Sequence, residues 1–336
     1  MLLLKQMAIL FVIMIIGYIL RKIKMINDAG SKVLSAIVVN VANPCLILSA
    51  SINKESTIKG AELGKTALLA LGVFAFLIVI SLFLPTLIRA RVQNRSVYRV
   101  MTIFSNIGFM GFPVISAVYG SDALLYASIF LIPYNVLIYT YGIAALHDED
   151  ELKKTDAKDT VTDKSAYEDS ADVKTRDKKE GKKKLPISKI LNVGVIACVL
   201  TIIIYLTGVK VPTVIEEITA SLSNLTAPLS MIVIGSSLGK ISLKSLFTDL
   251  RLLLFSAIKL IVIPVIGMFI VSFLGLDPKL NGVMLIMLAT PVGSMTAMLA
   301  EQYGGNVDLA SRGVALTTIF SVATIPFVSW IVSFIM

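Results

Sequence analysis

Histidine and cysteine are nearly missing from this chain: there is one of the first, His147, and two of the second, Cys45 and Cys198, both inside apolar stretches. No disulfide framework and no metal-ligand spacing can be built from them. His147 sits beside Asp148 and Glu149 at the end of an apolar span, so a histidine-based catalytic triad or a zinc site within a membrane has no support. The chain is expected to be neither an enzyme nor a metal or cofactor protein. Acids are scarce as well. Only 16% of the residues are charged, and 12 of the 22 acids fall within residues 148–184. The others, including Glu62, Asp122, Glu216, Glu217, Asp249, Asp277, Glu301 and Asp308, lie near the ends of apolar spans. A membrane interior without carboxylates lacks the groups that many proton- or sodium-coupled carriers use.

What the chain has in abundance is apolar surface. With 56% apolar residues and a mean hydropathy of +0.85, it exceeds what a soluble domain can bury, and most of it must face lipid. Stretches of the ~20 residues needed to cross a bilayer fall near 3–20, 33–52, 66–88, 97–118 and 123–146. Five more fall near 188–208, 213–239, 246–275, 280–302 and 309–336. The first has Lys5 ahead of its apolar core, Arg21, Lys22 and Lys24 behind it, and no small-residue cleavage site, so it reads as a retained helix rather than a signal peptide.

Alternate loops carry the bases. One set holds Arg21, Lys22, Lys24 and Lys32, then Arg89, Arg91, Arg95 and Arg99, then the long central loop, then Lys240, Lys244 and Arg251, then Arg312; the opposite set holds Lys54, Lys59, Lys65, Lys210 and Lys279. The positive-inside rule places both termini outside a plasma membrane and the central loop in the cytoplasm. The net charge of +9 therefore reports topology and contact with anionic membrane lipids, not nucleic acid, because residues 148–184 hold 12 acids and 11 bases and are nearly neutral. That loop has almost no large apolar residues and is expected to be a disordered linker. Ser165 and Thr175 within it are candidate phosphorylation sites, beside the plainer linker reading. The domain organisation that follows is a first five-helix repeat over 1–147, a linker over 148–187 and a second repeat over 188–336.

Two spans are interrupted by glycine and proline at matching places in the two halves: SNIGFMGFP at 105–113 and LATPVGSMTAML at 288–299. Continuous membrane helices avoid such breaks, because freed N–H and C=O groups find no water in lipid, so a matched pair points to discontinuous helices lining a substrate cavity. Five spans per half is an odd number, so the second half enters the membrane from the opposite face, as an inverted repeat does. Further echoes agree. VYGSDALLYAS at 118–128 resembles QYGGNVDLAS at 302–311, and the second and seventh spans each carry a mid-helix proline, Pro44 and Pro228. The expected fold is an all-α membrane protein with ten transmembrane helices in two inverted five-helix repeats, the fourth and ninth helices broken. The expected class is a secondary transporter.

The breaks suggest a site for an anion. A helix interrupted at midplane exposes free amides at the start of its second half, with about +0.5 of an elementary charge there, and two such ends can hold a carboxylate without a buried base. Gly108, Gly111 and Gly293 let the backbone unwind and approach a ligand, and Asn106, Thr290, Ser294 and Thr296 offer neutral hydrogen bonds. Pro113 and Pro291 accompany the two breaks. Asn43, ahead of Pro44, and Asn135, within IPYNVLIYT, are polar residues inside spans; each is either a cavity residue or an interhelical hydrogen bond worth about 0.6 kcal/mol. Lys259 is the one base well inside a span. Such a charge faces protein or water, either contributing to an anion path or bonding helix-end carbonyls.

The motifs SNIGFMGFP, MIVIGSSLG at 231–239, IKLIVIP at 258–264 and ATPVGSMTAMLAEQY in the ninth span resemble those of the auxin efflux carrier family of bacterial transporters, which includes malate permease-like members and is related to plant auxin carriers. The resemblance covers all but the linker. It implies a scaffold domain and a transport domain, two broken helices crossing in an X, elevator-type movement and a homodimer through the scaffold. It places the fourth-span crossing near a proline matched by Pro113; at the comparable ninth-span position this chain has Thr296, with its proline earlier at Pro291. The expected activity is export or exchange of a small organic carboxylate, malate- or auxin-like, by potential-driven uniport. A proton- or sodium-coupled carrier and a transporter-like sensor are the alternatives.

Overall fold

The structure is a computed structural model and describes residues 2–52, 60–146, 192–241, 246–303 and 305–334. The expected linker at 148–187, together with His147 and the bases at 54 and 59, lies outside these residues. Among the described residues the chain is all helical and has no strand. Among the described residues, seven helices are long and apolar enough to cross a membrane. In chain order the helices are α1 (Leu2–Lys22), α2 (Asp28–Ile52), α3 (Gly60–Leu87), α4 (Arg95–Ile103), α5 (Ile107–Tyr119), α6 (Ala123–Leu146), α7 (Val193–Thr207), α8 (Thr213–Leu238), α9 (Leu250–Ser272), α10 (Pro278–Ala289), α11 (Ser294–Tyr303) and α12 (Val307–Val332).

Local chemistry sets the helix ends. Asn27, Asn192, Asp249, Asp277 and Asn306 each turn a side-chain oxygen to first-turn amides of α2, α7, α9, α10 and α12, satisfying donors that have no partner within the helix. Gly208 closes α7 in the left-handed region at φ +62°, which glycine adopts without steric cost. Asp28 accepts from both Arg21 and Lys240, tying the ends of α1 and α2 to the stretch after α8.

Proline shapes the spans. Pro44, Pro113 and Pro264 each follow a wide π-turn, over Val38–Ala42, Ile107–Gly111 and Ile258–Val262. In each case the residue just before the proline, Asn43, Phe112 or Ile263, donates to the carbonyl five residues back. A proline ring clashes with the carbonyl four residues back and supplies no N–H. Widening the preceding turn relieves the clash while the spans stay helical, as lipid requires.

The helices pack in two neighbourhoods. α1 runs along α8 and α2 along α7, while α3 packs against α4 and α6, and α12 touches α4, α9, α10 and α11. The α1–α8 contact is backbone on backbone: a Cβ on Gly235 would lie 1.9 Å from the Met14 carbonyl oxygen, and one on Gly17 would lie 2.4 Å from that of Ile232. At the centre, α10 is buried all round from Val283 to Ala289, as are Ala123–Phe130 of α6. A helix apolar on every face belongs in such a position. The unwound segments between α4 and α5 and between α10 and α11 lie in this core.

Candidate functional site at the crossing of two broken helices

α4 stops at Ile103 because Phe104 turns extended, at φ −96° and ψ 94°, and α5 begins only after Asn106. α10 stops the same way at Thr290, with ψ 145°. The two unwound segments meet antiparallel at Ser105 and Val292. The Asn106 amide donates to the Pro291 carbonyl at 2.7 Å and the Gly293 amide to the Phe104 carbonyl at 2.9 Å. Each break thus satisfies backbone groups that the other exposes, which is what allows non-helical chain at this depth. The approach depends on glycine: a Cβ on Gly293 would sit 3.0 Å from the Ser105 carbonyl oxygen. From α12, the Thr317 hydroxyl accepts from the Val292 amide at 3.1 Å while donating to the Gly313 carbonyl.

Other backbone donors stay open. The Asn106 side chain caps α5 by accepting from the Phe109 amide at 3.3 Å, and its carbonyl accepts from Met110 and Gly111. Among the described residues no hydrogen bond occupies the amides of Gly108, Ser294 and Met295. Gly108 and Met295 are half-buried and Ser294 is exposed, so these N-terminal amides are reachable. An anion fits such donors by charge and by geometry.

Lys259 reaches the crossing from the π-turn of α9. It is fully buried, and its amino group donates to the Thr102 carbonyl at 2.9 Å and to the Ser105 hydroxyl at 2.8 Å. It therefore caps the C-terminal end of α4, where helix carbonyls are unpaired and the dipole is negative. Among the described residues the ion pairs join Asp28, Asp122, Asp249 and Asp308 to bases near helix ends, and none involves Lys259. Of the two uses read from the sequence, the structure shows the bonding of a helix-end carbonyl, at the place where α4 breaks.

The other residues singled out in the sequence fall as follows. Gly111 faces the Thr290 methyl, 3.6 Å from where its own Cβ would be. Thr290 and Thr296 are buried and donate to the Met287 and Gly293 carbonyls. Asn43 touches Gly108 through Nδ2, 3.3 Å from that residue's Cβ position, and its Oδ1 is buried without a hydrogen-bond partner. Asn135 is occupied elsewhere: its Nδ2 donates to Leu131 and its Oδ1 accepts from Asn192 at 2.6 Å, tying α6 to the start of α7. The pairing lies at Ser105–Val292, so Pro291 stands beside it where α10 has unwound, Thr296 lies within α11, and buried Pro113 lies beyond the π-turn that begins α5. The π-turn is the reason, because it holds the proline ring away from the unwound residues.

Sequence reasoning did not single out Ser105, Thr102 or Thr317, whose partners are remote in the chain. It also passed over Thr226 and Ser230. These lie one turn apart on the half of α8 that packs against the π-turn of α5, buried and with hydroxyls that make no hydrogen bond. Serine and threonine are common enough in membrane helices that only the packing marks these two. Among the described residues no group of three or more His, Cys, Asp or Glu side chains could hold a metal ion.

The profile of a family described as membrane transport protein matches residues 2–329. The chain is also 23% identical, over 336 residues and 96% of each sequence, to the uncharacterized transporter MJ1031 of Methanocaldococcus jannaschii.

Proposed function

The chain belongs to the membrane transport protein family, and from that premise we propose that it carries a small organic carboxylate anion, malate- or auxin-like, across the membrane by elevator-type alternating access, as a potential-driven uniporter. The observation that carries this reading is the meeting of four helix ends with the buried Lys259 amino group. Four half-helix ends meet there: the C-termini of α4 and α10, and the N-termini of α5 and α11. At about half an elementary charge each, two positive and two negative ends cancel. Lys259 sits on one of the negative ends and tips the balance positive. The open amides of Gly108, Ser294 and Met295 and the hydroxyl of Ser294 are then the donors for a carboxylate, with Asn106 holding the α5 end in shape.

Ten spans in two inverted repeats fit the element order, with α4–α5 as the fourth span and α10–α11 as the ninth. In this reading α1, α2, α7 and α8 form the scaffold, and the other helices move as the transport domain. Asn43, Thr226 and Ser230 are the scaffold's polar groups facing the crossing. Among the described residues the acids lie near helix ends, which leaves mid-span carboxylates out of this reading as sites for a coupling proton or sodium ion, and an anion leaving a cell with a negative interior gains about 2.3 kcal/mol per charge per 100 mV.

The test is transport in proteoliposomes with a panel of carboxylates, for the natural chain and Asn106→Ala. Saturable uptake of one acid class, lost in the variant, supports the site. No uptake of any acid, or uptake that survives the substitution, overturns it.

A further inference from the structure

The crossing does not account for a cavity of about 750 Å³ between α3 and the facing ends of α9 and α10. Its walls are apolar, with Leu69 and Phe76 on one side, Ile270 and Leu274 on the other, and Leu288 at the inner end. Leu68 and Leu274, on opposite walls, are 73% and 53% exposed, so the cavity opens sideways toward the hydrocarbon. Gly72 widens it: nothing lies within 4 Å of where its Cβ would be. Along α3 the lining runs from Lys65 to Phe76, about 16 Å at 1.5 Å per residue. That is about half of a ~30 Å hydrocarbon core, or one leaflet.

The mouth is charged. Glu62, Lys65 and Asp277 surround it together with Tyr126, whose hydroxyl donates to Glu62 at 3.1 Å. One base flanked by two acids is the complement of a phosphate carrying a primary ammonium, with Lys65 for the phosphate and Glu62 and Asp277 for the amine. A free carboxylate would meet two like charges there and apolar walls below.

We infer that this groove is a binding site for a phospholipid with an amine headgroup, of the phosphatidylethanolamine type, one acyl chain lying along α3 and ending at Leu288. Because lipid tails gain nothing from leaving one apolar surface for another, selectivity resides in the headgroup and affinity in the fit of the chain beside Gly72. Leu288 lies two residues before Thr290, where α10 unwinds, so the bound chain abuts the helix that forms the crossing. Lipid binding here is independent of which substrate the crossing carries.

Native mass spectrometry of the full chain in detergent tests it, with dioleoyl phosphatidylethanolamine, phosphatidylglycerol and phosphatidylcholine added in turn. The expected result is one retained phosphatidylethanolamine per chain, held about tenfold more than phosphatidylglycerol. Gly72→Phe, which fills the groove, should abolish retention of the lipid, Lys65→Glu, which inverts the base that meets the phosphate, should weaken it about tenfold, and Glu62→Gln with Asp277→Asn, which removes the acids that meet the amine, should abolish the preference. Lys65→Glu should leave the lipid-free unfolding temperature unchanged. If Gly72→Phe fails to fold, Leu68→Trp at an exposed wall position repeats the steric test. Equal retention of the three lipids, retention that survives Gly72→Phe, or a preference that survives removal of both acids would overturn the inference.

Discussion

Replacing Lys259 by glutamine separates charge from hydrogen bonding at the crossing. Glutamine, one atom shorter, keeps an N–H donor for one of the two acceptors, the Thr102 carbonyl or the Ser105 hydroxyl, that the lysine now holds at 2.9 and 2.8 Å, but it removes the charge that unbalances four otherwise cancelling helix ends. For a carboxylate about 8 Å from the lost charge, at an effective dielectric near 20, the interaction is worth about 2 kcal/mol, or about a 30-fold rise in KM. Lys259→Met should show the same rise and also lose stability, because buried polar partners left unpaired cost about 1–3 kcal/mol. Lys259→Arg keeps the charge in a fully buried site and should restore part of the affinity wherever it folds. The assay is saturation kinetics of carboxylate uptake in proteoliposomes, with unfolding temperature measured on the same preparations. A glutamine variant that folds normally and keeps its KM within about twofold would refute the charge argument and leave Lys259 as a helix cap alone.

Gly293→Ala puts a methyl group 3.0 Å from the Ser105 carbonyl oxygen; it should spread the two breaks and slow transport by about tenfold or more, as small misplacements at a site do, which initial rates at saturating substrate would read. Gly235→Leu drives a side chain into the Met14 carbonyl, 1.9 Å from the Cβ position, and should lower the yield of folded protein, or its unfolding temperature, more than any substitution at the crossing. Asn135→Leu breaks the bond to Asn192 and should cost about 0.6 kcal/mol in thermal stability while leaving KM unchanged, since that side chain is turned toward α7.

The two breaks were legible because glycine and proline interrupt otherwise apolar runs, and lipid tolerates such interruptions only where the chain is buried in protein or lines a cavity. Their mutual pairing was not, because the register of Ser105 against Val292 depends on where two remote helices cross, and proline positions alone misdirect it. Pro113 draws attention to itself, yet it follows a π-turn, as Pro44 and Pro264 do, whereas Pro85, Pro133 and Pro326 lie within α-helices that have no such turn before them. Lys259 was visible as an isolated base, and its bonding to helix-end carbonyls was one of two uses open to it. Its partners, 154 and 157 residues away, could not be named from the chain. Asn43 and Asn135 looked alike in sequence. Packing parts them, with one against the glycine of a broken helix and the other joined to a helix cap. The apolar groove beside α3 left no mark in the sequence at all, since its walls come from three helices and its width from the lack of a side chain at Gly72.

The most direct test of the central claim is flux of the carried acid in proteoliposomes under a potential set by a potassium gradient and valinomycin, with equal pH and equal sodium on both sides. Potential-driven uniport predicts saturable flux whose direction reverses with the sign of the potential and which Lys259→Gln shifts to higher substrate concentration. Flux that is insensitive to the potential, or that appears only when a proton or sodium gradient is added, would contradict it.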